Sequence, residues 1–226
     1  MKSNLSTSLF VMGVIFCVCL IASNLLEMKV IDAGPLTLTG GLLIFPISYI
    51  INDCISEVWG FKKARFIIWF GFLMNLFVVL VGWLATLLPS PGYWEGAPHF
   101  NFIFAFAPRM VVASMIAFLV GSFANAYVMS RMKIRDGGKR FGLRAICSTI
   151  VGESLDSVIF FPFAFGGVMA WTELVKVMLI QVVLKTLYEM LVLPFTSKIV
   201  RWVKPNDNAD VFDTDVSYNP LRIKQI

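Results

Sequence analysis

Six stretches of this sequence are apolar for long enough to cross a lipid bilayer, and that recurrence limits the fold more than any other feature. They are 8–26, 42–58, 66–88, 109–129, 145–165 and 174–203. About 20 apolar residues in a helix span the hydrocarbon core, and only helices or closed barrels satisfy their backbone polar groups there. Composition agrees: 58% of the 226 residues are hydrophobic and 15% are charged, against about 25% charged in a soluble domain. The expected fold is an all-α membrane protein, a six-transmembrane-helix bundle. Residues 1–204 form its transmembrane domain and 205–226 a flexible cytoplasmic tail.

The connections are short. Glu27–Gly41, with Pro35 and the alternating L-T-L-T-G-G, reads as a short extended hairpin or a re-entrant loop. Pro89–Asn101 is turn-rich, with Pro89, Pro91, Gly92 and Pro98, and Gly166-Gly167 makes a tight turn. The first stretch is too long, and too poor in preceding basic residues, for a cleaved signal peptide. The six tryptophans fall mostly near span ends, as interfacial anchors do.

Lysine and arginine placement orients the bundle. Lys2, Lys62, Lys63, Arg65, the run Arg131, Lys133, Arg135, Lys139, Arg140 and Arg144, and Lys198, Arg201, Lys204, Arg222 and Lys224 all fall on one side of a six-span arrangement. They make fifteen of the 19 basic residues, so the positive-inside rule puts both termini in the cytoplasm. The net charge of +5 lies in these short loops, which is a membrane signature; no nucleic-acid partner is expected.

Three spans carry polar residues at helical spacing. The second has Tyr49, Asn52, Asp53, Ser56 and Glu57. The fifth has Thr149, Glu153, Asp156 and Ser157, with Gly152 clearing space for a ligand or a second helix. The sixth has Gln181, Lys185, Tyr188 and Glu189. Residues three and four apart share a helix face, and ionisable groups inside a membrane avoid lipid. The three stripes should therefore meet inside the bundle. Glu57, nearer the cytoplasm, has snorkelling as an alternative, and Lys185 and Glu189 could neutralise each other. Even so, Asp53, Glu57, Glu153, Asp156 and Glu189 outnumber Lys185 and the more peripheral Arg109. Such an excess of acids suits a cationic or hydrogen-bond-donating substrate, or a proton pathway. Asn75 and Asn125 read as helix–helix hydrogen bonds, and Pro162 as a kink or end of the fifth helix.

Enzyme chemistry finds little support. His99 is the sole histidine and sits in a loop, so neither a histidine-rich zinc site nor a serine hydrolase base is available in a span. The four cysteines, Cys17, Cys19, Cys54 and Cys147, lie in apolar runs without metal-ligand spacing. There is no P-loop and no dinucleotide fingerprint. No cofactor or metal is expected.

The segments N-D-C-I-S-E-V-W-G (52–60), G-E-S-L-D-S-V-I-F-F (152–161) and K-T-L-Y-E-M-L-V-L-P-F-T (185–196) resemble the motifs of the queuosine precursor transporter family of vitamin uptake transporters. The resemblance spans roughly residues 10–203. It implies a six-helix bundle similar in shape to the S components of energy-coupling-factor transporters, in a bacterial inner membrane. It also implies secondary-type import of 7-cyano- and 7-aminomethyl-7-deazaguanine for tRNA queuosine salvage. Asn52, Asp53, Glu57, Thr149, Glu153, Asp156, Ser157, Gln181, Lys185, Tyr188 and Glu189 are then the substrate-binding candidates. Glu153 or Asp156 would take the guanine edge, and Asp53 and Lys185 would complete the pocket. Two other readings stay open: an S-type component for another vitamin or base, energised by a separate ATPase module, and a non-transporting scaffold. Beyond the substrate and the bilayer, protons, a homo-oligomer or an energy-coupling module remain open as partners.

Overall fold

A computed structural model describes residues 6–27, 29–33, 36–104, 108–167 and 170–222. Lys2, Pro35 and Lys224, and the side chain of Arg109, lie outside the described residues. Among the described residues six α-helices follow one another: α1 (Thr7–Leu26), α2 (Phe45–Thr86), α3 (Ala97–Phe104), α4 (Pro108–Asp136), α5 (Phe141–Phe165) and α6 (Trp171–Asn206). Five of them, all but α3, are long and apolar enough to cross a membrane.

Between α1 and α2 the L-T-L-T segment forms an antiparallel hairpin, β1 (Val30–Ala33) with β2 (Leu36–Thr39), in the register Val30↔Thr39 and Ala33↔Leu36. Thr39 Oγ1 donates to Glu27 Oε1 at 2.8 Å, tying the hairpin to the end of α1. The turn-rich stretch expected at 89–101 gives way to a helix at its end. α3 begins at Ala97 with Pro98 next, because an unused N–H costs nothing in a first helical turn.

α2 holds 42 residues and would measure about 63 Å if straight. It is not straight. Gly60 has φ 78° and ψ 175°, non-helical values that split the helix into two arms. Phe45 and Asn75 line one cavity, whereas 30 residues of unbroken helix would hold them about 45 Å apart. The arms therefore fold back on each other. The second runs alongside α1, with Ile67 against Gly13, Gly71 against Phe16, and Asn24 Nδ2 donating to Asn75 Oδ1 at 2.9 Å. Phe16, Leu20, Ile55, Val58, Phe61, Ala64, Ile68 and Phe118 fill the core between them. Only a residue without a side chain takes this turn cheaply. A Cβ on Gly60 would also lie 2.7 Å from Asp213 Oδ1 and 2.8 Å from Val211.

α4 and α5 touch backbone to backbone. A Cβ on Gly121 would lie 2.9 Å from the Gly152 carbonyl, and one on Gly152 3.0 Å from the Gly121 carbonyl. The space that Gly152 clears is thus occupied by a helix, with the Tyr49 ring wedged beside it. α5 continues through Pro162 to Phe165, so that proline does not end the helix.

Two sequence expectations change here. The basic run 130–144 is mostly helical: α4 continues to Asp136, α5 starts at Phe141, and Gly137 and Gly138 turn between them with positive φ. Lys133 and Arg144 are consequently buried. The segment after α6, expected as a loose tail, is tied to the bundle as far as Pro220. The break at Gly60 leaves backbone groups without helical partners, and this segment supplies them: Val211 N–H donates to the Val58 carbonyl at 3.1 Å, and Asp213 Oδ2 accepts from Phe61 N–H at 2.8 Å. Arg65 Nη1 donates to the Ser217 and Asn219 carbonyls, Trp69 Nε1 to that of Pro220, and Tyr218 packs edge-on against Phe61 and Tyr127.

Candidate functional site

The three polar stripes do converge, and they do so at three levels set by helix periodicity. On α2, Tyr49, Asp53 and Glu57 are spaced one turn apart; each meets a different set of neighbours from α4, α5 and α6.

At the level of Tyr49 lies a cavity of ≈ 120 Å³ among α1, α2, α4, α5 and α6, room for about four waters at liquid density. Asp156, Gln181 and Lys185 line it, together with Glu27, Thr39, Asn24, Phe45, Phe160 and Phe161. Lys185 Nζ donates to Glu153 Oε2 at 2.7 Å and sits 4.1 Å over the Phe45 ring centroid. Glu153 is fully buried behind this contact, and its other oxygen has no hydrogen-bond partner among the described residues. Asp156 is 8% exposed and accepts no hydrogen bond from a described side chain, so its carboxylate is free to meet a ligand.

One turn away, Asp53 accepts from Ser148 Oγ at 3.1 and 3.3 Å and lies against Glu189 and Asn125; Glu189 also faces Thr149. Asn52 Nδ2 donates to the Ser122 carbonyl and to Asn125 Oδ1 (3.2 and 2.8 Å), which pins α2 to α4. One turn further, Glu57 is closed in by cations. Arg144 Nη2 reaches Oε2 and Lys204 Nζ reaches Oε1, each at 2.7 Å, and Lys133 stands 4.0 Å away. Asp136 and Asp210 complete this cluster through Arg144 and through Lys133 and Lys204. Burial pushes the Asp210 carboxyl up, but hydrogen bonds from Lys133 and Lys204 outweigh that and hold it below the usual aspartate range.

Of the candidates named from sequence, Asp156, Gln181 and Lys185 line the cavity and Glu153 braces it. Asp53, Thr149 and Glu189 form a separate layer beneath. Glu57 belongs to the ion cluster and Asn52 to the α2–α4 contact. Ser157 is buried without a described partner, and Tyr188 faces an apolar groove between α1, α2 and α6. Sequence reasoning did not find Glu27, Asn24, Thr39 and Phe45 as lining residues. Glu27 and Asn24 lie at the end of a span, where polar residues are ordinary; the folded hairpin holds Glu27 through Thr39, and Asn75 and Ser114 hold Asn24.

Residues 39–199 match the family described as "Putative vitamin uptake transporter". The chain belongs to this family. It is a multi-pass membrane transporter and not an enzyme. It is 27% identical over 190 residues to a Bacillus subtilis (strain 168) protein named "Probable queuosine precursor transporter", covering 83% of this chain and 82% of that one. It is 26% identical over 161 residues to the "Queuosine precursor transporter" of Escherichia coli (strain K12), covering 70% and 69%. A "Probable queuosine precursor transporter" of Haemophilus influenzae matches at 26% identity over 127 residues, covering 56% and 52%. No solved structure matches the chain significantly.

Proposed function

We propose that this protein is a secondary-type importer of queuosine precursors, 7-cyano-7-deazaguanine and 7-aminomethyl-7-deazaguanine. It works in a bacterial inner membrane, with the two arms of α2 counted as separate spans, six spans in all, and both termini in the cytoplasm. The relatives' names supply the substrate class, and the observation that carries the reading is the free Asp156 carboxylate in a cavity it shares with Lys185 and aromatic rings.

The chemistry of a 7-deazaguanine fits that lining. Its ring N–H and exocyclic amine stand side by side, and one carboxylate accepts both in bidentate fashion. Asp156 is the acceptor in this reading. The ring carbonyl needs a donor, which Lys185 or the Gln181 amide provides. Lys185 already covers Phe45, so Phe160 or Phe161 is left as the stacking face for the flat base. An aminomethyl cation has Glu27 to turn to. Glu153 holds Lys185 in position from behind.

The test is to express the chain in a strain that cannot make these precursors and lacks its own importer, supply each deazaguanine, and measure queuosine in tRNA. Restored queuosine with either compound is the expected result. None with both, at normal membrane levels of the protein, overturns the assignment.

A further inference from the structure

The layer beneath the cavity has no role in the substrate contacts just described. Its charges are also unusual. Among the described residues, each of the other acids buried at these levels either has a cation or opens onto the cavity: Glu57 meets Arg144 and Lys204, Glu153 meets Lys185, and Asp156 faces the void. Asp53 and Glu189 have no such partner and act on each other instead. They come from α2 and α6, are 0% and 3% exposed, and no described lysine or arginine lies within ion-pair distance of either.

Their other neighbours are uncharged donors. Ser148 gives its hydroxyl to Asp53, the Asn125 side chain faces Asp53, and Thr149 faces Glu189. Thr149 Oγ1, Asn125 Nδ2 and Glu189 Oε2 are buried without a hydrogen-bond partner among the described groups. Two ionised carboxylates in contact, with no counter-ion and out of water, repel strongly; a single proton between them converts that repulsion into a hydrogen bond. Ser148 Oγ, Thr149 Oγ1 and Asn125 Nδ2 are the donors at hand for the one negative charge that remains. Among the described residues, the titratable groups around the pair are Tyr49, Cys54 and Glu57 on its own α2, Glu153 on α5 and Lys185 on α6, and α4 contributes the neutral Asn125.

We infer that the Asp53–Glu189 pair is a proton-binding site, separate from the substrate cavity, through which import is coupled to the proton gradient. This inference rests on the importer reading. The pair holds one proton while the layer is dry. Giving it up leaves two carboxylates, a state that becomes favourable only when water reaches the layer from the cytoplasmic side. Coupling to the cavity runs along two helices at once. Glu189 lies one turn from Lys185, and Thr149 one turn from Glu153, so the Glu153–Lys185 contact stacks directly on the proton layer. A substrate that draws Lys185 or Asp156 changes the charge facing Glu189, and by reciprocity the proton changes substrate affinity.

Two measurements on the purified full chain in lipid vesicles decide it. In the first, infrared spectra at neutral pH show the carbonyl stretch of a protonated carboxyl, and Asp53→Asn with Glu189→Gln removes that component. No such band, or a band that the double substitution leaves unchanged, overturns the inference. In the second, wild-type vesicles concentrate labelled 7-cyano-7-deazaguanine when the proton gradient points inward and fall to equilibrium with a protonophore, while Asp53→Asn exchanges label across the membrane without concentrating it. Accumulation that survives the protonophore, that sodium alone drives, or that Asp53→Asn retains also overturns it. Absence of any saturable precursor uptake by the wild type removes the importer reading instead, and the infrared result then still decides the proton site.

Discussion

Asp213, in the segment that follows the last helix, accepts the backbone N–H of Phe61 at 2.8 Å, at the first residue after the break in α2. The same oxygen accepts Ser130 Oγ at 2.5 Å, so one carboxylate joins the α2 hairpin, α4 and the end of the chain. Helix starts leave N–H groups without partners, and this one is buried. Replacing Asp213 with Ala strands both donors away from water. A loss of about 1–3 kcal/mol is expected, read as a lower thermal midpoint of the detergent-purified protein. Asn, which keeps an acceptor, loses less.

Gly60→Ala tests the break itself. Alanine meets a positive φ, and its Cβ would fall 2.7 Å from Asp213 Oδ1 and 2.8 Å from Val211. A residue with a side chain is strained by roughly 1–3 kcal/mol in that conformation alone, and the docked segment must also shift. The substitution should lower the midpoint in the otherwise native protein, and lower it less when Asp213 is already Ala, because one of the two clashes has gone.

The long apolar helices were legible in the sequence from hydropathy, and the meeting of the polar stripes from the periodicity that fixes which residues share a face. Partners were not. Glu57 read as a residue that could snorkel, yet it is buried with Arg144, whose position in a predicted loop marked it only as an orientation signal. That pairing depends on α4 and α5 extending past their apolar cores, a matter of helix length that hydropathy does not report. The docked C-terminal segment was equally hidden. Its polar composition is that of a loose tail, and what holds it is a set of backbone groups freed by a glycine break more than 150 positions earlier.

Lys185 and Glu153 form a nearly dry pair, with side chains 12% and 0% exposed. Removing one member of such a pair leaves an uncompensated buried charge, at about 3–5 kcal/mol. Lys185→Met should therefore depress the thermal midpoint strongly. Adding Glu153→Gln should recover much of that loss, since the stranded charge goes with it. Failure of the second change to restore stability would mean that Lys185 acts through its contact with Phe45 and not through the carboxylate.

The ion cluster around Glu57 carries a pH signature through Asp210. Its carboxyl is held below the ordinary aspartate value, about 3.9. A carboxyl with a depressed value in the folded state stabilises fully above the ordinary value, and that contribution disappears as the pH falls through the folded one. Wild type should exceed Asp210→Asn in thermal midpoint by a constant margin from neutral pH down to about 5. The margin should narrow below about 4 and vanish in stronger acid. A margin that stays flat into acid would show that the contact with Lys133 and Lys204 works through hydrogen bonding alone.

Asp156 is the side chain whose change separates binding from folding. It lines the cavity and makes no hydrogen bond with a described side chain, so Asp156→Asn removes a charge without leaving a hydrogen-bond donor unpaired. Asparagine presents one acceptor oxygen and two N–H donors where the guanine edge needs two acceptors. Each lost hydrogen bond to a charged group is worth about 1.5–3 kcal/mol, so precursor uptake at sub-saturating concentration should fall by at least tenfold. Membrane levels and thermal midpoint should stay at the wild-type value. Glu153→Gln makes the contrast, since that carboxylate holds Lys185: its effect should appear in stability as well as in uptake. Equal uptake by wild type and Asp156→Asn would move the guanine edge to Glu27, the other carboxylate on the cavity wall.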